Sequence, residues 1–511
     1  MPEARRKATR ARRRWPPLGL AVAGALVLAY ALWIAATVLE CWPIWPAEAS
    51  PYDWGTMWPP DPSQPYYFAK NPNLSWGWEQ FLMFPAGVRW ASVVALALAA
   101  GGLLAAGRRP VAWLRRLEGA SREIGAHRLG PALMATIFVA VAVLFRQRRF
   151  WGDWALFSLK PLVDPFWTID TPLPFWRSPM AYGTQEALIA TLHGALGLPA
   201  SMALRVGPLA AGLVWVFGLW EAARQLFPGA RWRGLLFFAV VLSYGLTVLA
   251  FGYFEAYPFS NAILLWYVAS SLRALRERRM PYAAGFWMGV ACLYHPQNLL
   301  YAPGLALPWA LAAGGGLAWN RAAGWLRRIA GGLGVWALML VPVGLFLLVQ
   351  EARGMGLETI AIGFEGTVFV PGEAAVAVER WRALLQVSLR VLPLFPILAV
   401  CAVLLAGRLP WRNARFVWLA LQVPFAAWIL LVIENRLPLW YDWDLMSPHL
   451  TMLGLWCAAG LAGLRYRVRW VVLAAILVVV FQVWVLGFWL GRNAVADPQQ
   501  RAAMEFYGLA Y

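Results

Sequence analysis

What most limits this chain is the recurrence of apolar runs of about 20 residues, the length a helix needs to cross the hydrocarbon core of a bilayer. They fall near 18–39, 82–106, 131–146, 200–220, 234–251, 258–272, 282–294, 299–314, 330–349, 384–406, 416–433, 448–464 and 470–490, and no polar stretch between them is long enough for an independent soluble domain. Hydrophobic residues make up 61% of the 511 and charged residues 14%. That balance lies outside the range of soluble domains. The expected fold is therefore all-α, a polytopic transmembrane helix bundle of about 13 spans. The runs 282–294 and 299–314, hinged at Tyr294-His295-Pro296-Gln297-Asn298, are short, and read either as two spans or as a re-entrant pair.

The net charge of +19 sits in short basic clusters between the apolar runs. This pattern reports topology and argues against a nucleic-acid partner. The first 17 residues hold seven basic residues and no small-residue cleavage site follows, so a retained first helix and a cytoplasmic N-terminus are expected. Alternating from there, the tail and the loops 107–130, 221–233, 273–281, 315–329, 407–415 and 465–469 are cytoplasmic. They hold 29 of the 44 basic residues but only five of the 25 acids. The arginine bias is the positive-inside pattern; acids follow that rule only weakly. Their concentration in the outer segments points to a site that uses carboxylates. Cys41, Cys292, Cys401 and Cys457 show neither disulfide-framework nor metal spacing.

Three outer segments, 40–80, 147–199 and 350–383, exceed what a connector needs, and long loops in compact proteins commonly carry function. The second is proline-punctuated, then apolar enough to lie along the interface as a helix. The third carries Glu351, Glu358, Glu365, Glu373 and Glu379 among glycines, and reads either as a lid or as a solvated connector.

Four constellations can carry chemistry. In Phe150-Trp151-Gly152-Asp153-Trp154, Asp153 follows the third run directly, among aromatic rings. A carboxylate so shielded can act as a general base or hold a metal through oxygen, although an interfacial Asp beside an aromatic belt explains the same residues. In Phe251-Gly252-Tyr253-Phe254-Glu255-Ala256-Tyr257-Pro258, Glu255 is the one ionisable carboxylate between Arg233 and Arg273. An isolated acid at that depth is costly, so function is its default reading, with a hairpin cap as the alternative. The hinge supplies His295 and Gln297, able to donate to a phosphate oxygen, or simply to form a polar turn. Finally, Glu434-Asn435-Arg436 leads into Trp440-Tyr441-Asp442-Trp443-Asp444, with His449 following. Asp442, Asp444 and His449 can bind a divalent cation such as magnesium or manganese, or the hydroxyls of a sugar. No P-loop, dinucleotide fingerprint, HExxH helix or GxSxG elbow occurs, so no nucleotide cofactor is expected.

On these motifs the stretch 131–315 resembles the module shared by GT-C glycosyltransferases, polytopic enzymes that include protein mannosyltransferases and lipid A aminoarabinose transferases. In that family a helix leaves the cytoplasm into a long first outer loop that opens with an acid, as Trp151-Gly152-Asp153 does here. The resemblance implies that Asp153 is the catalytic base and that Glu255 assists through metal or substrate contacts. It also implies that His295, Gln297, Tyr253, Tyr257 and Arg436 serve the substrate and its phosphate. Residues 1–130 are then a basic tail with two extra spans, 131–315 the catalytic module, and 316–511 C-terminal spans with outer loops 350–383 and 434–447. The implied protein sits in a bacterial inner membrane, with its active site on the outer face. It would move a sugar, with inversion, from a polyprenyl-phosphate donor to a glycan, lipid or protein acceptor. Three departures count against protein O-mannosylation and N-glycosylation: no second acid follows Asp153, no WWDYG-like element is present, and two extra spans precede the module. A polysaccharide polymerase or ligase using Arg353, Arg380 and Arg382, and a lipid-linked sugar flippase or transporter, are the alternative readings.

Overall fold

A computed structural model describes residues 18–38, 84–106, 109–113, 190–198, 200–247, 257–314, 322–352, 368–369, 391–434 and 446–494, with isolated positions between 116 and 188 and between 381 and 388. Apart from one two-residue strand pair, the regular structure among these residues is helical. The α-helices are α1 (Leu18–Val38), α2 (Ala86–Ala105), α3 (Ala200–Leu226), α4 (Arg231–Leu242), α5 (Tyr257–Glu277), α6 (Tyr282–Tyr294), α7 (Ala306–Gly314), α8 (Ala322–Ala352), α9 (Phe395–Leu404), α10 (Ala414–Val432), α11 (Ser447–Gly463) and α12 (Val468–Ala494).

Five segments among the described residues are long and apolar enough to cross a membrane: Ala86–Ala105, Val206–Leu226, Arg328–Leu348, Ala414–Leu431 and Val468–Phe488. The protein is an integral membrane protein. Helices α2 and α8 present large apolar side chains outward, with Leu98 71%, Leu348 68% and Leu333 65% exposed, as suits lipid rather than water. Other apolar runs among the described residues form shorter helices, α6 having 13 residues and α9 ten. The expected third span at 131–146 lies outside the described residues.

Two expected spans take a different shape. The run read as one short helix at 299–314 is a 3-10 helix, Pro296–Leu305, continued by α7. Proline causes the break: the residue before it is pushed out of the helical region, and His295 accordingly sits at φ −158°, ψ 117°. In the run at 384–406 the helix is interrupted at 392–394, ahead of the ten residues of α9.

Helices α5 and α11 form the centre. Helix α3 packs against α5, α5 against α6, α6 against α8, and α11 against α4 and α10. Nearly every residue from Ser447 to Leu455 is buried, as is most of α5. The arginine-rich turns gather at one end of this bundle. Arg233 donates to the Gly463 carbonyl at 3.0 Å, Arg415 to the Gln225 carbonyl at 2.6 Å, and the Arg465 amide to the Arg408 carbonyl at 2.9 Å. Glu277 sits there too, 2.7 Å from Arg276 and 3.1 Å from Arg273. The hydrogen bond from Arg276 chiefly holds its carboxyl below the usual range, opposed by desolvation and aided by Arg273. Turns assigned to a single side by charge alone therefore meet at one end.

Candidate functional site

The opposite end is built around the hinge between α6 and the 3-10 helix. The Ala291 carbonyl at the end of α6 accepts from the His295 amide and also from Asn298 Nδ2, each at 2.9 Å. The same nitrogen donates to Ser260 Oγ, also at 2.9 Å. Asn298 is fully buried, so this one amide ties the hinge to the first turn of α5. One turn position further, Asn261 Nδ2 donates to Ser447 Oγ at 2.7 Å and Thr451 Oγ1 donates to Asn261 Oδ1 at 3.1 Å, which closes α5 onto α11. Asn298→Ala removes two buried hydrogen bonds and is expected to cost about 2 kcal/mol, read as a lower thermal midpoint in detergent. A midpoint equal to wild type would remove the hinge from the structural account.

From the hinge a second chain of bonds runs inward. Gln297 Oε1 lies 3.0 Å from His449 Nε2, and the Tyr301 hydroxyl lies 2.7 Å from His449 Nδ1. With the amide oxygen facing the ring, Nε2 carries the proton and donates, while Nδ1 accepts from Tyr301. Tyr267 donates to the Tyr301 carbonyl at 2.7 Å, and the Trp418 indole to the Gly304 carbonyl at 2.7 Å. His449, wholly buried, thus has both ring nitrogens engaged by protein. Gln297 is only partly buried, and with its oxygen held, its amide nitrogen keeps two donors for another acceptor.

Aromatic rings flank the hinge. The Tyr257 ring centroid is 5.3 Å from that of His295, Phe259 stacks on Tyr294 at 5.5 Å, and the Tyr294 hydroxyl lies 3.0 Å from Thr184 Oγ1. Of the residues singled out from the sequence, Tyr257, His295, Gln297 and His449 therefore come together from three helix ends. Asp153, Tyr253, Glu255, Arg436, Asp442 and Asp444 lie outside the described residues. Nearby, Val368–Phe369 pair antiparallel with Ile433–Glu434, tying part of the segment 350–383 to the end of α10.

Sequence reasoning passed over Ser260, Asn261, Tyr267, Tyr301 and Thr451. The signal was there as polar groups inside apolar runs, with Tyr257 and Asn261, and Ser447 and Thr451, each at helical spacing of four. Among the described residues no group of three or more His, Cys, Asp or Glu is placed to hold a metal ion. His449 could ligate only by giving up Gln297 or Tyr301.

No protein-family model matches this chain, and no curated protein does. Solved structures that resemble it include ArnT from Cupriavidus metallidurans in the apo state, at 18% identity and a TM-score of 0.45, over 65% of this chain and 60% of that one. The same protein bound to undecaprenyl phosphate matches at 17% identity and a TM-score of 0.47, over 70% of this chain and 75% of that one. This chain thus spans about three fifths of the apo ArnT chain.

Proposed function

We propose that this protein is a membrane glycosyltransferase of GT-C type. It moves a sugar from a polyprenyl-phosphate donor to an acceptor hydroxyl on the non-cytoplasmic face, with inversion. The observation that carries this reading is the meeting of three helix ends around His295, Gln297 and His449. Glu255 precedes Tyr257 by two residues and Asp444 precedes Ser447 by three. That short tether in sequence supports a reading in which both carboxylates serve the end that carries the hinge.

In this reading Asp153 takes the proton of the acceptor hydroxyl as its oxygen bonds the anomeric carbon. The bond from that carbon to the phosphate oxygen breaks on the opposite side, and polyprenyl phosphate leaves with the electron pair. His295, the amide nitrogen of Gln297 and Arg436 donate to the phosphate, whose charge grows in the transition state, and fixed donors in a site poor in water stabilise it most. Tyr253 and Tyr257 line the sugar. His449 orients Gln297, and Glu255, Asp442 and Asp444 contact the sugar or a divalent cation.

The test is the full chain reconstituted in vesicles with a panel of polyprenyl-phosphate pentoses and hexoses labelled in the sugar, together with native membrane extract as the source of acceptor. Labelled product and free polyprenyl phosphate should appear in equal amounts. Label that crosses between leaflets while the donor stays intact would replace this reading with transport.

A further inference from the structure

At the arginine-rich end, remote from the hinge, an apolar cleft opens between α9 and α11. It is lined by residues such as Leu398, Cys401, Ala402, Trp456, Gly460 and Leu464. Leu409 and Leu464 close the lower wall, and each is joined in sequence to an exposed arginine, Arg408 and Arg465. The 2.9 Å bond from the Arg465 amide to the Arg408 carbonyl sets those two residues side by side. Arg233, anchored on the Gly463 carbonyl, adds a third guanidinium; its pKa is lowered by burial and by the charge of Arg465.

Among the described residues none of these three cations forms an ion pair with an acid; Glu221 and Glu277 pair with other arginines. Clustered like charges at the mouth of an apolar cleft call for an anion with an apolar tail. Trp470, with the Arg469 guanidinium 4.8 Å above its ring, and the half-exposed Trp411 mark the same level, where interfacial tryptophans meet lipid headgroups. We propose that this cleft binds an acyl chain of an anionic phospholipid, whose phosphate rests on Arg408 and Arg465. A zwitterionic headgroup brings its own cation to the same place and is disfavoured. The site is separate from the proposed transfer chemistry and stands or falls independently of it.

The experiment is native mass spectrometry of the full chain in detergent, titrated with phosphatidylglycerol or phosphatidylcholine of matched chains, and with inorganic phosphate as competitor. Phosphatidylglycerol should be retained well below the concentration needed for phosphatidylcholine. Arg408→Gln and Arg465→Gln should each weaken retention about 5-fold. Each methylene removed from the buried chain should weaken it about 4-fold, a series that needs no variant. Ala402→Trp should fill the cleft and abolish the chain-length dependence. Equal retention of the two lipids would overturn the proposal, as would displacement by inorganic phosphate with no dependence on chain length, or full retention in both arginine variants.

Discussion

Replacing Asp153 by Asn is expected to slow sugar transfer by about 10²- to 10⁴-fold, the range that a positioned general base contributes, with the yield of folded protein unchanged. The substitution keeps the shape of the side chain and removes its capacity to accept a proton. The residual rate should therefore lose the rise with pH that a titrating base gives the native enzyme. A merely structural Asp at the interface would leave that profile intact and lower the yield instead. Glu255→Gln should cause a loss of similar size, because the proposed site uses this carboxylate, two residues before Tyr257 in sequence. Near-native transfer in both variants would defeat the assignment of the site, and the tether argument with it.

The second large effect is on stability. Gly285 and Gly289 stand four apart on α6, the small-xxx-small spacing that lets helices approach backbone to backbone in lipid. A Cβ built on Gly289 would collide with the Met339 carbonyl oxygen of α8, and one on Gly285 would lie 2.6 Å from that of Val335. Backbone cannot turn aside as a flexible side chain can, so Gly289→Ala must separate the two helices. The expected cost is about 3 kcal/mol, at the upper end of overpacking effects. It would be read as a lower thermal midpoint of the detergent-solubilised chain. Gly344 and Gly487 are the controls: both lie within helices, and a Cβ there meets nothing within 4 Å. Alanine at either should be neutral or should stabilise by up to about 1 kcal/mol, as glycine is a poor helix former. If Gly289→Ala behaved like those controls, the close packing of α6 on α8 would be refuted. Because α6 ends at His295, a shift of this helix also carries the hinge away from His449, and transfer should fall with stability.

Much of the architecture is legible without coordinates, and the parts that are not share a cause. The run 282–294 gives α6 at those limits, and 18–39 gives α1 to within a residue, because apolar length and flanking punctuation are local properties. The arginine turns, sorted only by alternation along the chain, do gather at one end. The pairing of His449 with Gln297, 152 residues apart, is invisible to such reading. It put the histidine with Asp442 and Asp444 because they are neighbours in sequence. The orienting role of its ring comes from Tyr301 and Gln297, which approach from another part of the chain. In the same way Asn298 reads as a polar turn residue until the fold sets Ser260 and the Ala291 carbonyl around its amide.

The sequence alone determined that this chain is helical and apolar, with its arginine turns toward one end. Those properties follow from the dielectric of the bilayer, which acts on each residue in turn. Only the tertiary structure decided which buried polar groups satisfy one another and where α9 leaves a cleft beside α11. Both depend on rotation and register between helices distant in sequence, and these are set by the shapes of opposing side chains rather than by any periodicity within one segment.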